Sequence, residues 1–171
     1  KCFVHSIAFG TLKPMLSKND EPVLDSKNIE MTINVMGSSL VYWVQELHKS
    51  NLLVKGAQIF SMTSSGGRKQ WPSYGAVSMA KAVLESASRQ LAIELADVGI
   101  AVNAIQAGVT DTPALRKIPG NEEMIQYAID NNPSGRLTTP EDIASYVALI
   151  SQSNDSWMTG NVIRIDGGED I

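Results

Sequence analysis

Gln58-Ile59-Phe60-Ser61-Met62 leads into the turn Ser64-Ser65-Gly66-Gly67. From Gly75 to Val98, apolar residues then recur at helical spacing. A short, near-continuously apolar run closed by a Ser/Gly turn predicts a strand covered on both faces. The following stretch carries Leu84, Ala87, Leu91, Leu95 and Val98 on one side, which predicts a long helix ending at Gly99. This strand–turn–helix unit recurs along the chain. Further strand-like runs are Cys2 to His5, Ile100 to Ile105 and Val162 to Ile165. Ile29 to Ser50 is helical in pattern, with Ile33, Met36, Leu40, Val44 and Leu47 at spacings of three and four. Asn121 to Asn131 is a shorter helix closed by Pro133. Thr139-Pro140-Glu141-Asp142 opens another helix with a cap, a proline in its first turn and acids beside its dipole. Thr11 to Asn28 reads as a polar surface connection. Strands alternating with helices predict an α/β doubly wound parallel sheet. In such sheets ligands bind beyond the carboxyl ends of the strands. The turns Ser6 to Thr11, Ser64 to Gly67 and Ala107 to Thr112 fall there.

The composition narrows the possible partners. The chain has 171 residues, of which 43% are hydrophobic and 19% charged, with a net charge of -4. That balance suits one globular domain and gives no reason to expect nucleic acid or an anionic membrane. No run reaches the length of a membrane span. The single cysteine, Cys2, excludes an internal disulfide, fits a cytoplasmic protein and reads as a small core side chain. Only two histidines are present, and no pair has ligand spacing, so no metal site is expected. His5, alone at a strand end, reads as a hydrogen-bonded structural residue. Lys1 followed at once by Cys2-Phe3-Val4 suggests that the chain begins inside or just before a buried strand, as a fragment would.

Ser64, Tyr74 and Lys81 are the residues most suggestive of chemistry. Lys81 follows Tyr74 by seven residues, nearly two turns, so both emerge on one helix face about 10 Å apart along the axis. Ser64 lies at the sheet's carboxyl edge. A phenol of pKa near 10 is a poor acid at neutral pH, and a nearby ammonium favours the phenolate. In isolation, a Tyr and a Lys on a helix are usually a packed aromatic and a solvated charge, so the context decides.

That context resembles the short-chain dehydrogenase/reductase family. The resemblance rests on Ile59-Phe60-Ser61-Met62-Thr63-Ser64-Ser65-Gly66-Gly67 and Ser73-Tyr74-Gly75-Ala76-Val77-Ser78-Met79-Ala80-Lys81. It extends to Asn34 in Thr32-Ile33-Asn34-Val35, to Asn103-Ala104-Ile105-Gln106-Ala107-Gly108-Val109-Thr110-Asp111-Thr112, and to Thr159-Gly160-Asn161-Val162-Ile163-Arg164-Ile165-Asp166-Gly167-Gly168. Ala107 stands where the family has Pro. Most members carry Lys four residues after Tyr, where this chain has Ser78. Lys at plus seven resembles the divergent enoyl-acyl carrier protein reductase branch. Val4-His5-Ser6-Ile7-Ala8-Phe9, Asp111-Thr112-Pro113-Ala114-Leu115 and Pro133-Ser134-Gly135-Arg136 resemble the same branch, the last two particularly its NADPH-using members. Many of these enzymes have a second Tyr ten residues before the first, and here that position is Ser64.

The resemblance implies a Rossmann-like sheet, of which residues 1–171 form the C-terminal two-thirds, as a single catalytic domain. It implies NADPH- or NADH-dependent reduction of an enoyl thioester on acyl carrier protein in fatty-acid synthesis, with NADPH favoured, in a homotetramer. Tyr74 would bind the thioester carbonyl, and Lys81 the nicotinamide ribose. Ser64 would be a secondary polar contact. Asn34 would be a proton-relay or helix-kink residue, or else a contact to the helix backbone. Ser6, Ile7, Ala8 and Thr63 would line the cofactor, with Gly108, Thr110 and Thr112 meeting its carboxamide and phosphates. The family's glycine-rich turn, which holds the pyrophosphate, is not among these residues. The alternatives are a carbonyl or alcohol oxidoreductase such as a 3-oxoacyl-acyl carrier protein reductase, and a truncated chain without catalysis.

Overall fold

Four parallel strands in the order β1-β2-β3-β4 organise the computed structural model, which describes all 171 residues. They are β1 (Cys2–His5), β2 (Gln58–Ser64), β3 (Ala101–Ala107) and β4 (Val162–Ile165). The helices are α1 (Ser26–Ile33), α2 (Ser39–Lys49), α3 (Gly75–Glu94), α4 (Asn121–Asn131) and α5 (Pro140–Ser151). This is the parallel Rossmann-like α/β architecture expected from the alternation of strands and helices.

The central strands β2 and β3 are longer than their apolar runs suggest. Their polar ends are carried on by the backbone ladder, and Thr63 and Gln106 are buried there with side-chain partners. Thr63 and Ser64 pair with Gln106 and Ala107, and the Thr63 hydroxyl donates to Glu85. One face of the sheet packs Ile59 and Val102 against Leu40 and Val44 of α2 and Leu84, Leu91 and Ala92 of α3. On the opposite face, reached by period-two alternation, Gln58 donates to the Asp155 carbonyl and Asn103 to that of Met158.

Four expectations need correction. Strands covered on both faces describes β2 and β3 but not the edge strands β1, where Val4 is 42% exposed, and β4, where Arg164 is exposed and no residue is buried. Cys2 is exposed rather than a core side chain, since it lies on that same edge strand. The expected helix over 29–50 starts earlier, at Ser26, because the Asp25 side chain caps the Asn28 amide at 2.7 Å. It is also not continuous, since a π-helical stretch, Asn34–Ser38, separates α1 from α2. Finally, α3 ends at Glu94, five residues before Gly99. The left-handed φ of +69° at Gly99 instead turns the chain into β3.

The π-helical stretch has a packing reason. It presents Gly37 to α3, where a Cβ on Gly37 would lie 2.9 Å from the Ala80 carbonyl and 3.0 Å from Val83. Only a residue without a side chain lets the two helices approach this closely. That contact fixes the N-terminal half of α3, the half carrying Tyr74 and Lys81. At the other end of the chain α5 is capped as expected, with a full capping box between Thr139 and Asp142.

Candidate active site

The carboxyl ends of β1, β2 and β3 share one edge of the parallel sheet. Ser6, Ile7 and Ala8 follow β1, Ser64 closes β2, and Gly108 to Thr112 follow β3. Tyr74 caps the start of α3 directly beyond the β2 turn. Gly66 makes room for it, since a Cβ there would meet the Tyr74 ring and lie 3.2 Å from the Ser64 Oγ. Ser64 and Tyr74 are thus neighbours across Gly66. The Ser64 Oγ is enclosed with only the Tyr74 hydroxyl beside it as a partner, and the Ser78 Oγ, one turn along α3 from Tyr74, is enclosed with none. Buried polar atoms are rarely left unpaired. An enclosed Ser64 hydroxyl beside the phenol fits a site that completes its hydrogen bonds with a polar ligand.

Lys81 is only 7% exposed, and its Nζ donates to the Met62 carbonyl at 2.6 Å. An ammonium has three donors, so two remain for other groups. Burial pushes Lys81 down to about 8, while the Glu85 carboxylate acts to raise it. Glu85 is a site residue that the sequence reading missed. It lies one turn after Lys81, and that i,i+4 spacing was the available signal. It is held by the Thr63 hydroxyl at 2.7 Å.

The expected lowering of the Tyr74 pKa by Lys81 is not found. Burial pushes the phenol up, and the neighbouring Ser64 hydroxyl pulls it only part of the way back. The lysine reaches for the strand carbonyl instead. Tyr74 is therefore a protonated donor at neutral pH.

The remaining expected site residues divide. Ser6 and Ala8 are exposed and Ile7 half-buried along the segment leaving β1. Thr110 donates to the Gly108 carbonyl, and the Thr112 hydroxyl accepts from the Leu115 amide, so both loop hydroxyls are partly engaged. Thr63 is buried, and its hydroxyl is committed to Glu85. Asn34 opens the π-helical stretch and its carbonyl accepts from the Ser39 amide, while its exposed side chain accepts from the Tyr42 hydroxyl at 3.0 Å. The structure therefore brings Ser64 and Tyr74 together, anchors Lys81 on the same strand two residues before Ser64, and holds the Asn34 side chain on Tyr42. His5 is buried. Ser39 Oγ donates to the Val35 carbonyl, so it accepts from His5 Nε2 at 2.8 Å. Burial, with Lys81 nearby, holds this imidazole below its ordinary range and therefore neutral.

A parallel α/β sheet with Ser, Tyr and Lys gathered at the carboxyl end of a central strand defines a Rossmann-like protein of the short-chain dehydrogenase/reductase type. Within that class the chain belongs to the enoyl-(acyl carrier protein) reductase family, whose family model matches residues 1–169. An enoyl-[acyl-carrier-protein] reductase [NADH] of Buchnera aphidicola is 28% identical over 169 residues, covering 99% of this chain and 64% of that protein. A (2S)-[(R)-hydroxy(phenyl)methyl]succinyl-CoA dehydrogenase subunit of Thauera aromatica is 30% identical over 151 residues, 86% of this chain and 58% of its own length. The solved enoyl-[acyl-carrier-protein] reductase (NADH) of Aquifex aeolicus superposes with a TM-score of 0.84 at 28% identity, covering 99% of this chain and 65% of that one. The chain thus spans less than two-thirds of the length of these relatives. The two reductases are named for NADH, and neither name carries the preference for NADPH. No helix is long and apolar enough to cross a membrane.

Proposed function

We propose that residues 1–171 form the catalytic domain of a nicotinamide-dependent enoyl thioester reductase acting on acyl carrier protein substrates in fatty-acid synthesis. The observation that carries the reading is the half-buried Tyr74 beside Ser64 across Gly66, with the buried Lys81 anchored on β2 at Met62, two residues before Ser64. A glycine-rich segment outside these residues would hold the cofactor's pyrophosphate. NADH is the proposed reductant, because the reductase relative and the solved reductase are named for it. The expected location is the cytoplasm, where a lone thiol stays reduced.

When bound, the reduced nicotinamide supplies hydride to the β-carbon of the enoyl thioester. Tyr74, whose desolvation keeps it protonated, donates a hydrogen bond to the thioester carbonyl oxygen. That bond strengthens as negative charge moves onto the oxygen, which is the condition for lowering the barrier rather than merely binding substrate. Lys81 uses its two free donors on ribose hydroxyls and keeps the site positive. Ser64 orients the carbonyl or the phenol. Thr110 and Thr112, with Gly108 between β3 and the loop, face the carboxamide and phosphates, and the Ser6–Ala8 segment closes the other side. Asn34 contributes through the helix backbone, where it opens the π-helical stretch that seats α3.

The named alternative is reduction of a carbonyl. It is favoured by Ser64 standing where many enoyl reductases have Tyr, and by the relative named as a dehydrogenase. Assay of the full-length protein on crotonyl and acetoacetyl thioesters separates the two. Turnover of the enoyl substrate is expected, and turnover of the keto substrate alone would overturn the proposal.

A further inference from the structure

Glu169 and Asp170, just after β4, each reach a different loop of the site. The Asp170 side chain is 7% exposed. Its Oδ2 accepts from Arg68 Nη2 at 2.8 Å and Gln106 Nε2 at 2.9 Å, and its Oδ1 from Lys69 Nζ at 2.5 Å. Arg164 donates to the Asp170 backbone carbonyl at 2.6 Å, which fixes the carboxylate's own position. Arg68 and Lys69 belong to the 65–73 connection between Ser64 and Tyr74. The neighbouring Glu169, 8% exposed, accepts from the Val109 amide at 2.9 Å, inside the Gly108–Thr112 loop. Two consecutive carboxylates therefore tie the loop that spaces Ser64 from Tyr74 to the loop expected to face the cofactor.

We propose that Glu169 and Asp170 are positioning residues, a clasp that sets the 65–73 loop against the 108–112 loop and so fixes Tyr74 relative to the bound substrate. This deepens the reading of the site as a reductase and rests on it. The bonds to Asp170 from Arg68 and Lys69 are charge-assisted, and the carboxylate that receives them is sheltered while its two cationic partners are half-exposed. Burial works to raise the Asp170 carboxyl. The hydrogen bonds from Lys69 and Gln106 and the charges of Lys69 and Arg68 more than reverse this, so the carboxylate stays ionised. Neither residue touches the reacting atoms.

The test uses the full-length protein and two readouts. Limited trypsin digestion of the folded protein reports opening of the loop at Arg68 and Lys69, because cleavage there needs the loop to open. Asp170→Asn should speed that cleavage about tenfold, as expected from losing a charge-assisted bond, while cleavage elsewhere is unchanged. The same variant should lower kcat by a similar factor with little change in the KM for the nicotinamide cofactor. Lys69→Gln, at a half-exposed position, releases one arm from the loop side; it removes one tryptic site, so cleavage is compared after Arg68 alone, where it should show a weaker version of both effects even if Asp170→Asn fails to fold. Glu169→Gln should raise the cofactor KM more than it lowers kcat. Unchanged cleavage in Asp170→Asn and Lys69→Gln would overturn the clasp. So would faster cleavage with unaltered kinetics. A wild-type protein inactive on both thioesters would refute the reductase reading, while the trypsin result still decides whether the clasp exists.

Discussion

Lys81 Nζ donates to the Met62 carbonyl at 2.6 Å, which anchors the helix α3 to the strand β2 at the floor of the site. The bond explains why a lysine can be buried here. One donor is satisfied by backbone, Glu85 stands a turn away, and the price of burial appears as a pKa brought down to about 8. In the proposed reaction it would also separate the roles of the two residues, with the ammonium serving the cofactor and Tyr74 the substrate.

A pH dependence follows. Unfolded, Lys81 holds its proton up to the ordinary lysine range near 10.4, so between about pH 8 and 10 the unfolded state binds more protons, and stability should rise with pH. Cofactor affinity should move the opposite way, falling as the ammonium is lost above about 8. Thermal melts of the full-length protein across this window should show the rise in wild type and a flatter profile in Lys81→Met. Glu85→Gln should shift the alkaline loss of cofactor affinity to lower pH, because Glu85 acts to raise Lys81. An unshifted profile in Glu85→Gln would show that this carboxylate does not tune the lysine.

Gly37→Ala should destabilise the protein despite the better helix propensity of alanine. The propensity gain is at most ~1 kcal/mol. Against it, the new Cβ would press on the Ala80 carbonyl at 2.9 Å, and a backbone atom cannot swing aside. Overpacking of this kind costs about 1–3 kcal/mol. Urea unfolding should show a lower midpoint with an unchanged slope. Equal or greater stability would mean that the π-helical stretch and α3 can separate freely.

Most of the fold was legible because it is written in local patterns. The strand runs, the long helix from Gly75 and the Thr139 cap each announce themselves within a few residues. The π-helical stretch at Asn34–Ser38 was legible only as the helix-kink reading of Asn34 that the resemblance implied, while the close fit of Gly37 against Ala80 lies on another helix and had no local signal. The end of α3 was misplaced because Gly99, with its positive φ, serves the turn into β3 rather than a helix cap. Within the site, Ser64, Tyr74 and Lys81 followed from spacing and resemblance. The commitments of Thr63 to Glu85 and of the Asn34 side chain to Tyr42 depend on which face each residue takes in three dimensions. The clasp from Asp170 to Arg68 links positions 102 residues apart, beyond any local signal.

Assembly into a homotetramer is a further expectation. The outward side of α3 exposes the small residues Ala82 and Ser86 together with Ile93, 73% exposed, and α2 exposes Tyr42 and Trp43. Small residues let helices approach, and exposed aromatics supply the apolar area that an interface buries. Light scattering of the full-length protein should give four subunits. A particle that stays monomeric at micromolar concentration would refute the assembly.

The most direct test of the central claim is the Tyr74→Phe variant of the full-length protein, with kcat and the cofactor Kd measured side by side on an enoyl thioester. The phenol acts on charge that develops only as the reaction proceeds, where losing one donor costs roughly 3–4 kcal/mol. The account predicts that kcat falls by two to three orders of magnitude, in line with about that cost, while the cofactor Kd stays within about twofold of wild type. Near-normal turnover in Tyr74→Phe would contradict it.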